Sequence, residues 1–211
     1  MPQPNNPLIN TSSWPPRRPY RAVDHAAWQG ELVRSDEIRC RSSREVFANK
    51  WLRLREDEIE FPDGSGGHYT IVEKQDFVVV LPYADDGFWL VQQYRYPVGS
   101  REWEFPQGGW PSGSSGTLPE LAERELAEET GLRARQLTRL GRLFAAYGYS
   151  NQSFEVYLAT GLTEGTPDRE HTEQDMVHRW FALDEVRAMI GRGEFADSHS
   201  VAALTLFDLR T

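Results

Sequence analysis

The feature that most restricts the fold of this chain is a helix whose two ends are both marked in the sequence. Thr117 and Glu120 have the spacing of a capping box, and Pro119 suits the first turn of a helix. Gly131 is a natural stop, because glycine readily adopts the left-handed conformation that ends many helices. The sequence therefore predicts a helix over 117–131.

Three glutamates of this helix share a face with apolar side chains. At about 100° per residue, Glu125, Glu128 and Glu129 fall within an arc of roughly 100°. The same arc holds four apolar residues: Leu118, Leu121, Ala122 and Leu132. Like charges at these spacings repel, and buried carboxylates without partners are disfavoured. We therefore expect a cation among them, and crowded oxygen ligands suit Mg²⁺ or Mn²⁺ with bound phosphates. The alternative is a solvated glutamate-rich helix with Arg124 as an ion-pair partner.

Composition narrows the class of protein. With 211 residues, 39% of them hydrophobic, the chain can fill one substantial core, so one domain with additional segments is expected. The formal net charge of −9 disfavours a nucleic-acid partner, since gripping phosphates requires a basic face. No apolar run approaches a membrane span of about 20 residues. The single cysteine, Cys40, excludes an internal disulfide framework and a cysteine-based zinc site. We expect a cytoplasmic protein without a membrane partner.

The predicted elements divide the chain into three segments. Residues 1–44 are predicted to form an arm, partly disordered, because their first part combines turn-forming residues with little apolar periodicity. Residues 45–75 contain two strand-like runs, 46–60 and 69–73, separated by a glycine-rich turn, which predicts an antiparallel β extension. Residues 76–211 form the main domain.

The main domain alternates strands with helices. Strands are predicted over 77–83 and 88–96, joined by a turn with the Asp-Gly chemistry of hairpins. The wholly apolar start of the first strand indicates burial on both faces. Further strands are predicted over 140–146, 154–160 and 178–182, and helices over 184–190 and 200–209. This pattern predicts an α+β fold in which a mixed β-sheet is sandwiched between helices, an α/β/α arrangement.

The run RELAEETGL at 124–132 matches every specified position of REUXEEXGU, the core of the Nudix box. The chain thus resembles the Nudix hydrolases, and the resemblance extends over about residues 46–209. It implies the Nudix fold for 76–211 and a bound divalent cation, Mg²⁺ with Mn²⁺ as the alternative. It also implies that Glu125 and Glu129 are the principal metal ligands.

The same resemblance implies roles for three neighbouring residues. Glu128 is expected to be a metal ligand or to bind a metal-coordinated water, and Arg124 to orient the carboxylates. The glycine-rich loop PQGG precedes the helix, and the backbone carbonyl of Gln107 is expected to join the metal shell.

The chain departs from the full pattern GX5EX7REUXEEXGU. The pattern asks for a glutamate eight residues before Arg124, where this chain has Gly116. Counted from Gly108, the box is also two residues longer than the pattern. In the family that first glutamate normally braces the loop. A non-catalytic Nudix domain that senses a nucleotide is therefore an alternative to an enzyme.

Segments outside the box resemble ADP-ribose and nucleoside-diphosphate-sugar pyrophosphatases. The runs QQYRYP at 92–97 and WEFP at 103–106 are similar to their QYR and WELPAG segments. The implied reaction is metal-dependent hydrolysis of the diphosphate linkage in ADP-ribose or a related nucleoside diphosphate sugar, giving a nucleoside monophosphate and a sugar phosphate. The run FPQGG at 105–109 also resembles enzymes that act on dinucleoside polyphosphates, which remain an alternative. Since the subgroup is commonly homodimeric, residues 45–75 are expected at a dimer interface.

The general base is expected in the acidic loop at 171–176, which resembles the mobile loop that carries the catalytic glutamate in this subgroup. Glu173 is the preferred candidate, ahead of Glu170 and Asp175. An ordinary charged loop is the alternative.

Three further residues are candidates for substrate binding. Arg95 is predicted either to clamp a phosphate through its planar fork or to pair with a neighbouring acid. Glu104 is predicted to bind ribose or metal-coordinated waters, with solvent exposure on a strand as the alternative. Trp51 is predicted to stack on a base, with a place in the core as the alternative.

Overall fold

A computed structural model describes residues 37–111, 114–169 and 173–210. The chain divides into two compact units, residues 1–74 with 146–151 and residues 75–145 with 152–211. The predicted arm lies outside the described residues, except for 37–44. Within the described ranges, no helix is both long enough and apolar enough to cross a membrane.

The first unit contains a three-stranded antiparallel sheet in the order β1-β2-β3, which confirms the predicted β extension. Its strands are β1 (Arg39–Ala48), β2 (Arg53–Glu60) and β3 (Gly66–Glu73). The segment 146–151 joins this sheet, since the Ser150 hydroxyl donates to the Val72 carbonyl at 2.7 Å.

The prediction of one strand over 46–60 was wrong, because a turn separates β1 from β2. The Asn49 side chain accepts hydrogen bonds from the backbone N–H groups of Trp51 at 2.8 Å and Leu52 at 3.0 Å. Asparagine side chains that accept from the following backbone in this way reverse the chain direction. The strand also starts earlier than predicted, at Arg39.

The early part of β1 is held to β2 by polar cross-strand pairs, so its sequence does not need to alternate apolar and polar residues. Arg41 pairs with Glu60, and the Ser42 hydroxyl donates to Glu58 at 2.9 Å. Cross-strand pairs of this kind stabilise a sheet without an apolar face. Most of β1 is consequently exposed.

The second unit contains a seven-stranded mixed sheet. Its strands are β4 (Phe77–Ala84), β5 (Gly87–Arg95), β6 (Ser100–Glu104), β7 (Gln107–Gly109), β8 (Arg133–Phe144), β9 (Ser153–Thr163) and β10 (Val177–Ala182). The order is β10-β5-β4-β9-β8, with β6 paired to β5 and β7 paired to β4. β4 and β9 are parallel, and the other pairs are antiparallel.

Helices cover both faces of this sheet, which confirms the predicted sandwich. The helices are α1 (Leu118–Thr130), α2 (Leu183–Arg192) and α3 (Ser198–Asp208). Val78 and Val80 of β4 pack with α1 on one face. Val79 and Leu81 pack with α2 and α3 on the other face. All four side chains are 0% exposed, so β4 is buried on both sides as predicted.

The ends of α1 are those that the sequence predicts. Thr117 is the N-cap, and its backbone N–H donates to the Glu120 carboxylate at 2.8 Å while its hydroxyl accepts from the Glu120 backbone. Gly131 ends the helix in a left-handed conformation, with φ of 77°, and its N–H donates to the Ala127 carbonyl at 2.9 Å. These ends fix which residues of α1 face the sheet.

The packing of α1 gives a first prediction. Leu126 is 1% exposed in the core between α1 and the sheet, so Leu126→Ala should lower the free energy of unfolding by about 2–5 kcal/mol through lost burial and the cavity that remains. Urea denaturation followed by circular dichroism measures this change. The exposed Glu123 on the same helix is the control, and Glu123→Ala should change stability by less than about 0.5 kcal/mol. Equal losses in both variants would contradict the packing.

Candidate active site

Two glutamates of α1 are buried side by side against the sheet. Glu129 is 1% exposed and Glu125 is 7% exposed. Burial raises the pKa of Glu129 well above its ordinary value, and the charges of Glu125, Glu173 and Glu104 raise it further. The positive charge of Arg95 acts in the opposite direction. Several carboxylates therefore surround Glu129, and the group is more stable with a proton or a cation in its midst.

Strand β7 brings backbone close to both buried carboxylates. The backbone N–H of Gln107 donates to a Glu129 carboxylate oxygen at 3.3 Å. A Cβ atom on Gly108 would lie 2.3 Å from Glu125 Oε2, a distance that no real side chain tolerates. Glycine at 108 is thus needed for the Glu125 carboxylate to lie against the strand.

Arg124 and Glu128 form an ion pair along α1. The Arg124 Nε donates to Glu128 Oε1 at 2.8 Å, and both side chains are partly buried. This ion pair joins Arg124 to one carboxylate of the helix, and the predicted role of Arg124 in orienting the carboxylates stays a prediction. The predicted role of Glu128 at a metal stays a prediction.

Glu104, at the end of β6, is held by hydrogen bonds from three residues. Its carboxylate accepts from the Gln93 amide at 2.7 Å and from the Gln107 amide at 3.0 Å. Arg95 donates to both carboxylate oxygens, at 2.5 Å and 3.1 Å. Burial raises the pKa of Glu104, although Arg95 and Gln93 act to lower it. Glu104 is 2% exposed, so the alternative that it faces solvent is wrong. Arg95 pairs with an acid, which is one of its two predicted roles.

Asp197 belongs to the same polar network and was not predicted. Its carboxylate caps α3 by accepting from the Ser200 N–H at 2.9 Å, and it accepts from the Gln107 amide at 3.1 Å. Burial acts to raise the pKa of Asp197, but hydrogen bonds from His199 and Ser200 hold it below its ordinary value. The spacing of Asp197 and Ser200 is typical of a helix start, yet nothing in the sequence indicates the contact with Gln107.

The structure separates the three candidates for the general base. Glu173 is close enough to Glu129 for its charge to raise the Glu129 pKa. Asp175 is instead paired with Arg101 Nη1 at 2.6 Å, and its carbonyl accepts from Arg101 Nη2 at 2.7 Å. Glu170 lies outside the described residues. Among the described candidates, Glu173 is therefore the one whose charge acts on the buried Glu129 carboxylate.

Arg169 lies before this loop and binds the end of α1, a contact that no pattern in the sequence predicts. Its Nε donates to the Glu129 carbonyl at 3.1 Å, and its Nη2 lies 2.9 Å from His178 Nδ1. Burial and the charge of Arg169 lower the pKa of His178, which favours a neutral imidazole that accepts from Arg169. After the loop segment, the Gln174 amide donates to the Arg169 carbonyl at 2.8 Å.

Trp51 lies in the turn between β1 and β2 of the first unit. It is 63% exposed, so the alternative that places it in the core is wrong. Lys50 Nζ lies 4.4 Å from the centre of its ring. Stacking of Trp51 on a base stays a prediction.

The donors at this site fit a hard divalent cation. No three His, Cys, Asp or Glu side chains within residues 37–111, 114–169 and 173–210 form a ready-made metal cluster. Mg²⁺ commonly uses only one or two carboxylates, with waters and phosphates as its other ligands. Glu125 and Glu129 meet that requirement, because they are adjacent, buried oxygen donors in a site with excess negative charge.

Comparisons with known proteins assign the chain to a family. The NUDIX domain model matches residues 73–204, and the nucleoside diphosphate sugar hydrolase N-terminal domain model matches residues 33–72. The ADP-ribose pyrophosphatase of Mycobacterium tuberculosis is 37% identical over 166 residues, which are 77% of this chain and 79% of that protein. The ADP-ribose pyrophosphatase of Bacillus subtilis is 28% identical over 181 residues, 84% of this chain and 96% of that protein.

A solved structure supports the fold alone. The crystal structure of an ADP compounds hydrolase superposes with a TM-score of 0.71 at 22% identity, covering 82% of this chain and 92% of that one. The domain match spans more than half of the chain, and the mycobacterial relative exceeds 30% identity. The chain therefore belongs to the Nudix hydrolase family.

Proposed function

We propose that this Nudix hydrolase cleaves the diphosphate linkage of ADP-ribose or a related nucleoside diphosphate sugar, releasing a nucleoside monophosphate and a sugar phosphate. The observation that carries the proposal is the buried Glu129 carboxylate, whose pKa is raised by burial and by three neighbouring acids. Such a site attracts a cation and, through it, phosphates. The ADP-ribose pyrophosphatases among the relatives support the substrate class.

We propose Mg²⁺ as the ion, with Mn²⁺ as the alternative. Glu125 and Glu129 would hold it, with the Gln107 carbonyl and Glu128 binding it directly or through water. A divalent cation in this position supplies charge neutralisation to the phosphoryl oxygens and lowers the pKa of a bound water. Arg124 keeps Glu128 in place through the ion pair along α1.

Glu173 is the proposed general base. It accepts a proton from the water whose oxygen attacks one phosphorus of the diphosphate. The bond from that phosphorus to the bridging oxygen breaks, and the bridging oxygen leaves with the other phosphate. Since Glu173 lies near Glu129, the proton is taken up beside the proposed ion.

The substrate is proposed to be held by Arg95, Glu104 and Trp51. The Arg95 side chain is 39% exposed while it binds Glu104, so part of it remains open to a phosphate. Glu104 is proposed to bind ribose or a metal-coordinated water, and Trp51 to stack on the base. Gln107 belongs to the FPQGG run that suggested a dinucleoside polyphosphate substrate. Its side chain binds Glu104 and Asp197, so a structural role accounts for the glutamine without that substrate.

We further propose that the protein is a cytoplasmic homodimer. The first unit carries several exposed apolar side chains suited to a subunit interface, in its strands and in the segments beside them: Ile38, Val46, Phe47, Trp51 and Tyr69. A reducing compartment accords with a chain whose single cysteine, Cys40, can form no internal disulfide.

The first functional prediction concerns Glu129→Gln. Turnover of ADP-ribose with Mg²⁺ should fall by about 10²–10³-fold, since the variant loses a charge that stabilises the transition state through the ion. The assay uses a panel of ADP-ribose, nucleotide sugars, dinucleoside polyphosphates and coenzyme A. Glu123→Gln on the exposed side of α1 is the matched control and should keep full turnover. Full activity of Glu129→Gln would rule out the proposed metal site, and tight binding without turnover by the wild type would favour a sensor.

The second prediction concerns the pH dependence of stability without metal. The pKa of Glu129 is raised on folding, so its negative charge lowers the stability of the folded protein. This cost is absent below the unfolded pKa of about 4.3, grows as pH rises above it, and is complete once pH has passed through the folded pKa. Glu129→Gln should therefore melt at a higher temperature than the wild type at pH 8 in a chelator, and this advantage should vanish towards pH 4. Differential scanning calorimetry measures both. A wild type that is the more stable protein at pH 8 would contradict the raised pKa.

The third prediction separates Glu173 from its neighbour in the acidic loop. Glu173→Gln should lower kcat by about 10²–10⁴-fold with little change in KM, because a general base acts in the chemical step. Asp175→Asn, which weakens only the pair with Arg101, is the control and should retain most of kcat. Steady-state kinetics at saturating Mg²⁺ measures both parameters. An equal loss in the two variants would remove Glu173 from the proposed role.

A further inference from the structure

An aromatic ring fills the space at the position where the family pattern has a glutamate. A Cβ atom added to Gly116 would lie 2.5 Å from Trp110 Cζ2 and 3.0 Å from Trp110 Cη2. The backbone φ of Gly116 is outside the left-handed region, so other residues could adopt it. Glycine is needed here because the indole occupies the room that a side chain would take.

The same indole contacts the helix that carries the glutamates. Trp110 directly follows β7 and packs against the core between α1 and the sheet. The Arg124 guanidinium carbon lies over the Trp110 ring, 5.9 Å from its centre, within the range of a cation–π contact. Arg124 also donates to Glu128 at 2.8 Å, so the ring and the carboxylate hold one guanidinium between them.

Electrostatic repulsion, in addition to the lack of space, disfavours a glutamate at position 116. Glu120 Oε2 would lie 3.1 Å from a Cβ atom on Gly116, and this carboxylate is already used by the capping box with Thr117. A second carboxylate here would be placed beside a like charge. The local structure is therefore built for a residue without a side chain.

We propose that Trp110 is a positioning residue that takes the place of the missing glutamate. Its indole, admitted by Gly116, packs the end of β7 against α1 and restrains Arg124, and through Arg124 it orients Glu128 at the metal site. Gly116 and Trp110 together then replace the bracing glutamate, so Gly116 does not indicate lost activity. We call this pair the brace. The proposal rests on the metal site of the proposed function.

The test compares Gly116→Ala, Gly116→Glu, Trp110→Leu and the double variant Trp110→Leu/Gly116→Ala. Affinity for Mn²⁺ is measured without substrate, from the metal dependence of the melting temperature, and kcat and KM are measured with ADP-ribose. Each single variant should weaken Mn²⁺ binding by about 10-fold or more, as loss of a residue that supports metal ligands does. The double variant should be no worse than Trp110→Leu, since both changes remove the same contact.

Two further variants separate a positioning role from a general loss of stability. Trp110→Phe keeps a ring beside Arg124 and should recover most of the Mn²⁺ affinity that Trp110→Leu loses. Gly191→Ala, where an added Cβ meets nothing within 4 Å, should match the wild type. Gain of activity in Gly116→Glu, additive losses in the double variant, or lower melting temperatures with unchanged Mn²⁺ affinity would each overturn the proposal.

The outcomes also distinguish this inference from the proposed function. If the wild type hydrolyses no substrate of the panel but the Mn²⁺ affinities of the variants follow the expected order, the proposed function is contradicted and the positioning role of Trp110 is supported. If ADP-ribose is cleaved and the variants bind Mn²⁺ like the wild type, the function stands and the brace fails.

Discussion

The carboxylate of Glu129 is buried in a site that contains other acids, and burying its charge there costs free energy. The groups around it reduce that cost. The backbone of Gln107 donates to it, and the missing side chain at Gly108 lets Glu125 lie against the same strand. Arg95 partly offsets the negative charge. The proposed divalent ion would neutralise the remaining negative charge, so the burial of these acids and the proposed affinity for a phosphate-binding cation would have one physical origin.

The position of this group depends on the two ends of α1. The capping box at Thr117 fixes where the helix begins, and the left-handed Gly131 fixes where it ends, so the glutamates face the sheet. Past Gly131 the chain returns to the helix end, where Arg169 binds the Glu129 carbonyl. Arg169 lies two residues before the start of the acidic loop at His171. The helix that carries the proposed metal ligands and the loop that carries the proposed base are thus joined by side-chain hydrogen bonds to backbone carbonyls, from Arg169 to Glu129 and from Gln174 to Arg169.

The sequence predicted the features that depend on local pattern. The bounds of α1 follow from capping residues and glycine, and the burial of β4 follows from its apolar run. It failed for β1, whose early residues pair through charges and hydroxyls and show no apolar period. The contacts of Arg169 with Glu129 and of Asp197 with Gln107 join residues 40 and 90 positions apart. Contacts of that separation leave no periodic signal, so they emerged only from the fold.

The hydrogen bond between Gln107 and Asp197 also bears on the rate at which the chain folds. Closing so long a loop costs entropy before any contact offsets it, and chains rich in such contacts fold slowly. β4 likewise pairs with β9, far along the chain. The contacts of Glu129 with Gln107 and of Gln107 with Asp197 therefore require segments that are distant in the sequence to have come together. A partly folded chain carries the same glutamates but lacks the enclosure that concentrates their charge.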